Sequence, residues 1–389
     1  MKARGNRPET THQGSSSQWA EPISREFVTV HRWDNREVIS DAPALVILPD
    51  GRLLCSVELW SRDDTANRLY GHSRCLIFAS DDAGTSWHEL ARLPFATGKF
   101  LARDARLWFI GSGTGWNGLW VTCSEDRGET WSGPTQVFDG KTYSASTGWV
   151  VDDGTLYWAM DDMNPARAER RVFAVAADLR AELRDPQTWR KSNAIEHPGV
   201  PQSLGRGPHH SGTWLEPNVV RVDDRLALIV RVRVSESNAD GVVPNLGAVC
   251  DLDDTEGALR LTFSHYYPIP GAQNHFHIVP DEHNGLFWMT SNLVTGVARQ
   301  LYRGWGKERR FLMLHYSVDA QNWFPAGVLA MWPKETQAFN YCTPVIDGDD
   351  LLFVSRTAEQ AANQHDNDTI TFHRVPDFRQ LAVNLHPAH

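Results

Sequence analysis

The chain has 389 residues, 41% of them hydrophobic and 22% charged, with a formal net charge of −10. That balance describes a water-soluble folded chain with ample core, and it excludes nucleic acid or an anionic membrane surface as the main partner. No apolar run approaches the ~20 residues of a membrane span. The five cysteines (Cys55, Cys75, Cys123, Cys250, Cys342) lie mostly inside apolar runs, which reads as buried reduced thiols without a disulfide framework or metal-type spacing.

In chain order, residues 1–25 form a polar lead-in without the hydrophobic segment of a signal peptide, so disorder there and a cytoplasmic location are expected. A single domain is expected over residues 26–380. Phe27 to Arg32 reads as a short strand. Ala44–Pro49, the Asp50-Gly51 turn and Leu53–Leu59 read as a hairpin, and Arg74–Ser80 as the next strand. Between them lies a polar loop holding Asp63, Asp64 and His72. A second group covers Phe100 to Phe138. A third runs from Ser146 through the Asp153-Gly154 turn and Arg171–Ala176 to about Trp189. An irregular loop over 195–212, with His209 and His210, precedes Trp214–Val222, Leu226–Val234, Leu246–Cys250 and Ala258–Phe263. His275–Val279, Leu286–Ser291, Phe311–Ser317 and Trp323–Ala330 form a fifth group. The last group, Thr343–Ile346, Leu351–Ser355 and Thr369–His373, is one strand short, and the early Phe27–Arg32 strand is expected to complete it.

One stretch recurs. Ser80-Asp81-Asp82-Ala83-Gly84-Thr85-Ser86-Trp87 returns 44 positions later, from 80 to 124, as Ser124-Glu125-Asp126-Arg127-Gly128-Glu129-Thr130-Trp131. A worn copy stands at Ser317-Val318-Asp319-Ala320-Gln321-Asn322-Trp323. Each follows an alternating apolar run. The aspartate can accept bonds from N–H groups of its own turn, glycine takes a positive φ, and the tryptophan is expected to plug the turn onto the neighbouring sheet. A repeat of this length in an all-β pattern indicates a β-propeller, divided here into six blades, with seven as the alternative division.

The two full copies resemble the Asp-box, or BNR repeat, of the sialidase (neuraminidase) superfamily, and further segments carry the resemblance across roughly residues 40–375. Asp41-Ala42-Pro43-Ala44-Leu45 resembles the strand that supplies the first of the family's three carboxylate-binding arginines, with Asp41 in the arginine's place. Trp214-Leu215-Glu216-Pro217-Asn218, followed by Leu226 to Val234, is similar to the segment carrying the glutamate and second arginine. The resemblance thus implies roles for Glu216 and Arg231, with Arg233 on the same strand face. Arg309 or Arg310 would fill the third arginine's place. Tyr341-Cys342-Thr343-Pro344 resembles the strand that begins with the nucleophilic tyrosine, and Arg356 stands where the family has an acid. The general acid would be Asp63 or Asp64, with His72 a third proton donor.

The resemblance implies a six-bladed fold and an exo-sialidase-like glycosidase on a carbohydrate substrate. Asp41 and Arg356 imply a specificity different from ordinary sialidases. No cofactor is implied. His210, His275 and His365 fall on connections suited to hydrogen bonding of sugar hydroxyls or to proton transfer, and with no third ligand beside His275 and His277 no metal site is expected. Trp60, Trp116, Trp214, Trp288 and Trp305 have flat faces that suit a sugar ring, while core or turn plug is the leading role expected of any single one. Two further readings stay open: a polysaccharide lyase acting on uronic-acid sugars, with His210, His275 or Tyr341 taking the proton, and a non-catalytic glycan-binding propeller.

Overall fold

Each apolar run pairs with the one before it in the chain, as short antiparallel connections dictate. The computed structural model describes residues 21–33, 38–61, 66, 74–164, 170–201, 204, 212–234, 245–255, 257–294, 308–332, 334 and 336–382. β1 (Val28–Arg32) is followed by a sheet of β2 (Val38–Ile47), β3 (Leu53–Ser61), β4 (Cys75–Ser80) and β5 (His88–Leu93). Next come β6 (Phe95–Arg103), β7 (Arg106–Gly113), β8 (Asn117–Ser124) and β9 (Thr135–Tyr143), then β10 (Val150–Asp152), β11 (Thr155–Asp162), β12 (Arg171–Asp178), β13 (Trp189–Lys191) and β14 (Ile195–Glu196). β11 also pairs with β9 at Asp161↔Tyr143 and Asp162↔Thr142, which merges these strands into one sheet. β15 (Gly212–Val222), β16 (Arg225–Val234), β17 (Leu246–Thr255) and β18 (Ala258–Pro268) form the following sheet, and β19 (Phe276–Pro280), β20 (Phe287–Asn292), β21 (Phe311–Ser317) and β22 (Phe324–Met331) the one after. β23 (Ala338–Asp347), β24 (Asp350–Ala358) and β25 (Thr369–Val375) take β1 as their outer strand, paired at Val28↔Phe372.

Interior strands such as β3 and β12 are buried on both faces, because each sheet is covered by the sheet before it and the sheet after it. Leu53, Cys55 and Val57 of β3 pack against Leu352, Val354 and Ile370 of the last sheet. Leu54 packs the other way, with Phe95, Leu107 and Phe109 of β6 and β7. Trp214 fills the cluster between β11–β12 and β15–β17, the core role expected of it ahead of that of a sugar platform, and Trp288 fills the one between β20–β21 and β23–β24; both are fully buried. A flat hydrophobic ring is worth more there than on a wet surface. Trp60 is half-buried, Trp116 is exposed, and Trp305 lies outside the described residues. All five cysteines are free and buried.

The inner strands of successive sheets are tied by side chains. Thr343 Oγ1 donates to the Pro43 carbonyl (2.7 Å) and Ser146 Oγ to that of Gly98 (2.8 Å). Asn218 Oδ1 accepts from Gly148 N (2.8 Å) and Ile278 N (3.0 Å), while its Nδ2 donates to the Phe276 carbonyl (3.1 Å). One buried amide therefore satisfies three backbone groups from two other segments.

The repeated turns form as their residues require. Asp82 accepts from Ser80 Oγ (2.8 Å), Ser86 N (2.8 Å) and Ser86 Oγ (2.6 Å), and Asp126 repeats this with Ser124 and Thr130. Gly84 and Gly128 have φ of 90° and 92°. Trp87 meets Phe372 of the neighbouring sheet, ring centroids 5.4 Å apart. Trp131 stays over Phe100 and Phe109 of its own sheet, so there the lean onto the neighbour falls to Gly128, which faces Leu54. Residues 1–20 of the expected lead-in lie outside the described residues; beyond them, Ile23 and Ser24 donate from their backbones to Val328 and Leu329.

Candidate active site

Three inner strands break their ladders at matching places: β2 between Asp41 and Ala44, β15 between Leu215 and Asn218, and β23 between Asn340 and Thr343. In each break a residue other than glycine takes positive φ, namely Ala42 (38°), Glu216 (53°) and Tyr341 (48°). Pro43 and Pro217 follow two of them and have no N–H to give the ladder. Such bulges re-aim a side chain, and each strained residue costs of order 1–3 kcal/mol that its surroundings must hold. For Glu216, part of that hold is Asp161 Oδ1, which accepts its backbone N–H at 2.7 Å.

The bulges bring Glu216 and Tyr341 together. Tyr341 Oη donates to Glu216 Oε1 at 2.8 Å. Arg231 pairs with Glu216 Oε2, approaches Tyr341 Oη at 3.4 Å, and donates Nε to the Gln273 carbonyl at 3.0 Å. The guanidinium of Arg356 lies 4.7 Å from the centre of the Tyr341 ring and that of Arg309 lies 5.3 Å from it. His275 stacks on the same ring at 4.5 Å and 16°. Its Nε2 sits 3.1 Å from the Ala145 carbonyl, an acceptor only, so Nε2 carries the proton.

All of these side chains are buried, and burial opposes charge. It would raise the Glu216 carboxyl, but Arg231 overrides it and holds the group down at about 2. Burial, reinforced by the Glu216 charge, pushes the Tyr341 phenol up. Burial lowers His275 to about 4 and Arg309 to about 10. At neutral pH the centre therefore holds a carboxylate, a neutral phenol donating to it, a neutral imidazole and guanidinium cations.

Asp41 and Arg356 form a second buried ion pair beside the first. Arg356 Nη2 also donates to the His365 carbonyl. The His365 ring lies 3.1 Å from Asp366, and burial lowers it to about 3. Arg309 Nη1 reaches Asn340 Oδ1 at 3.4 Å, whereas Arg310 turns to the Trp332 carbonyl, so Arg309 is the arginine of the expected pair that joins the centre. Arg231, rather than the half-buried Arg233, is the one that reaches Glu216 and Tyr341. Asp63, Asp64, His72 and His210 lie outside the described residues.

Sequence reasoning passed over Glu58, Asp161, Tyr143 and Lys99. Burial and the nearby Asp41 charge push the Glu58 carboxyl well up. Burial raises Asp161 to about 8, against the pull of Arg170, and its Oδ2 has no hydrogen-bond partner. Burial lowers Lys99 to about 7; its Nζ donates to the Thr147 carbonyl at 2.8 Å. The signal was an ionisable residue inside an otherwise apolar run, as in Leu53-Leu54-Cys55-Ser56-Val57-Glu58-Leu59. Among the described residues no three His, Cys, Asp or Glu side chains converge as metal ligands.

No protein-family model and no curated protein matches this sequence. Solved structures do match in fold. A Penicillium chrysogenum α-L-arabinanase complexed with arabinobiose superposes with a TM-score of 0.56 at 13% identity, over 92% of this chain and 99% of that one. A Fusarium graminearum α-L-arabinofuranosidase does so with 0.54 at 12%, over 91% and 98%. A mutant Trypanosoma rangeli sialidase displaying trans-sialidase activity gives 0.56 at 14%, over 92% of this chain and 60% of that one.

Proposed function

We propose that this chain, which has the fold of the sialidase-type propellers, is a glycoside hydrolase that cleaves an acidic sugar from a glycan. Its sheets are read as six blades, β9 and β11 bridging two of them, with β1 closing the last; the turns at Asp82 and Asp126 are read as Asp-boxes. The observation that carries the functional reading is the Tyr341–Glu216 hydrogen bond at 2.8 Å inside a ring of arginines. Similarity to an arabinanase, an arabinofuranosidase and a sialidase supports glycan cleavage but not a particular sugar.

Chemically, Glu216 takes the phenol proton as Tyr341 Oη attacks the anomeric carbon, and Arg231 steadies the oxygen as its charge grows. Among the described residues that touch Tyr341 or its ion pairs, three guanidinium groups (Arg231, Arg309, Arg356) stand with two carboxylates, Glu216 and Asp41, an excess of one positive charge. That excess suits a sugar bearing a carboxylate, and a neutral phenol is not repelled by such a sugar as a carboxylate nucleophile would be. Water then attacks the glycosyl-tyrosine, and two displacements at one carbon retain its configuration.

The test is a panel of fluorogenic glycosides covering a sialoside, a glucuronide and an arabinofuranoside, with absorbance for the unsaturated product of a lyase. Release from a carboxylate-bearing sugar, lost in both Tyr341→Phe and Glu216→Gln, is the expected result. Release from the arabinofuranoside alone overturns the acidic-sugar reading. Absorbance without hydrolysis makes it a lyase, and silence of a folded protein on every substrate makes it a binding module.

A further inference from the structure

The leaving oxygen of a glycoside needs a proton, and the Tyr341–Glu216 pair does not provide it. We propose that Glu58 on β3 is the acid that protonates the departing glycosidic oxygen, a role that rests on the hydrolase reading above. Glu58 pairs in register with Asp41 across β2 and β3, so both carboxyls stand on one face of the sheet. Asp41 in turn holds Arg356 over the Tyr341 ring, 4.7 Å from its centre. Glu58 is thus one strand removed from the nucleophile's own cations.

Its environment suits a donor. Glu58 is 4% exposed, and among the described residues no hydrogen bond reaches its carboxyl. An ionised carboxylate without donors is costly to bury, so the proton stays on. The groups facing it are Asp41 on β2, Arg74 and Cys75 at the start of β4, Arg356 on β24 and Tyr143 on β9. Burial and Asp41 hold the proton, and the two arginines pull against them. Neither neighbouring acid is equally placed. Asp41 is committed as a carboxylate to Arg356 and to Ala42 N, and Asp161 is committed to the backbone of Glu216.

The step balances. As the Tyr341 Oη–carbon bond forms, the bond to the leaving oxygen breaks, its electron pair takes the Glu58 proton, and the phenol proton goes to Glu216. In the second displacement water attacks the same carbon and returns a proton to Glu58, while Tyr341 leaves and recovers its own from Glu216.

The experiment compares Glu58→Gln and Glu58→Asp with wild type on two glycosides of the sugar that wild type releases, one with a 2,4-dinitrophenyl leaving group and one with methyl. Glu58→Gln is expected to lower kcat/KM on the methyl glycoside by about 10²–10⁴-fold, to spare the activated one largely, and to erase the alkaline limb of the pH profile. Glu58→Asp is expected to recover part of the loss. An infrared difference spectrum between wild type and Glu58→Gln at neutral pH is expected to show one protonated carboxyl. Equal losses on both glycosides, absence of that carboxyl, or the selective loss appearing in Asp63→Asn or Asp64→Asn instead, overturns the role of Glu58 alone. Wild type that cleaves no glycoside overturns the hydrolase reading and the acid built on it.

Discussion

Arg356 on β24 donates its Nη1 to Asp41 on β2, and the two side chains are buried together across the seam between the last sheet and the first. The sign of each charge is reversed from what the sialidase resemblance implies at those places, and the pairing explains why both departures occur together. The guanidinium is kept near Tyr341 but is delivered from the opposite partner. Removing one member strands the other in a low-dielectric interior. Arg356→Met is therefore expected to destabilise by about 3–5 kcal/mol, and Asp41→Asn by less, because Arg356 still has the His365 carbonyl. The double variant Asp41→Asn/Arg356→Met should recover part of the loss, as a double-mutant cycle by urea denaturation would show.

Tyr341 and Glu216 act as one unit in the reading above. Each single variant, Tyr341→Phe or Glu216→Gln, is expected to lower kcat by about 10²–10⁴-fold, and the double variant to be no worse than the poorer single one. Additive losses in steady-state kinetics would mean that the two side chains work independently.

Gly84 and Gly51 share φ of 90° but differ in surroundings. A Cβ at Gly84 would lie 2.1 Å from the Phe372 ring, whereas one at Gly51 would meet open space. Gly51→Ala isolates the backbone term, about 1 kcal/mol. Gly84→Ala adds overpacking between two sheets and is expected to lose a further 1–3 kcal/mol or so. Thermal melts of the two variants side by side separate the contributions.

Stability should depend on pH in opposing ways at named groups. His275 and His315 have folded values of about 4 and His373 about 3, below the ordinary 6.5, so the unfolded chain binds more protons in that window and stability falls as pH drops through it. Lys99, lowered from 10.5 to about 7, makes stability rise with pH between those values. Asp161, raised from 3.8 to about 8, does the reverse: the unfolded chain gives up the proton first, and stability declines as pH climbs from 3.8 to 8. Asp161→Asn should thus gain on wild type progressively over that range. Lys99→Met should flatten the rise above pH 7. Urea midpoints measured across pH 4–10 check both directions.

Much of the fold was legible because its signals are local. Ser80, Asp82 and Gly84 are separated by two positions each, and their bonds close within one turn, so pattern and geometry coincide. Glu216, Arg231, Arg309 and Tyr341 were reached through family resemblance, since no local rule says that Tyr341 meets Glu216 across 125 positions. The partner of Asp41, 315 positions away, was beyond any spacing argument. Glu58 and Asp161 were visible as acids in apolar strands, but the sequence does not say whether such an acid faces a neighbouring sheet or a reacting centre. Trp214 and Trp288 went to the core, the role that a large aromatic in an apolar run is expected to take ahead of a sugar platform.

β1 completes the last sheet by pairing Val28 with Phe372. Residues 28 and 372 are 344 positions apart, so β1 leaves the ribosome long before its partner does. Its hydrogen bonds form only after that intervening stretch has been made, and the loop that they close spans it. Loop-closure entropy and high contact order place that event late and make it slow. Until then β25 shows an unpaired edge that β1 of another molecule fits equally well. Refolding yield should accordingly fall with protein concentration, through exchanged β1 strands.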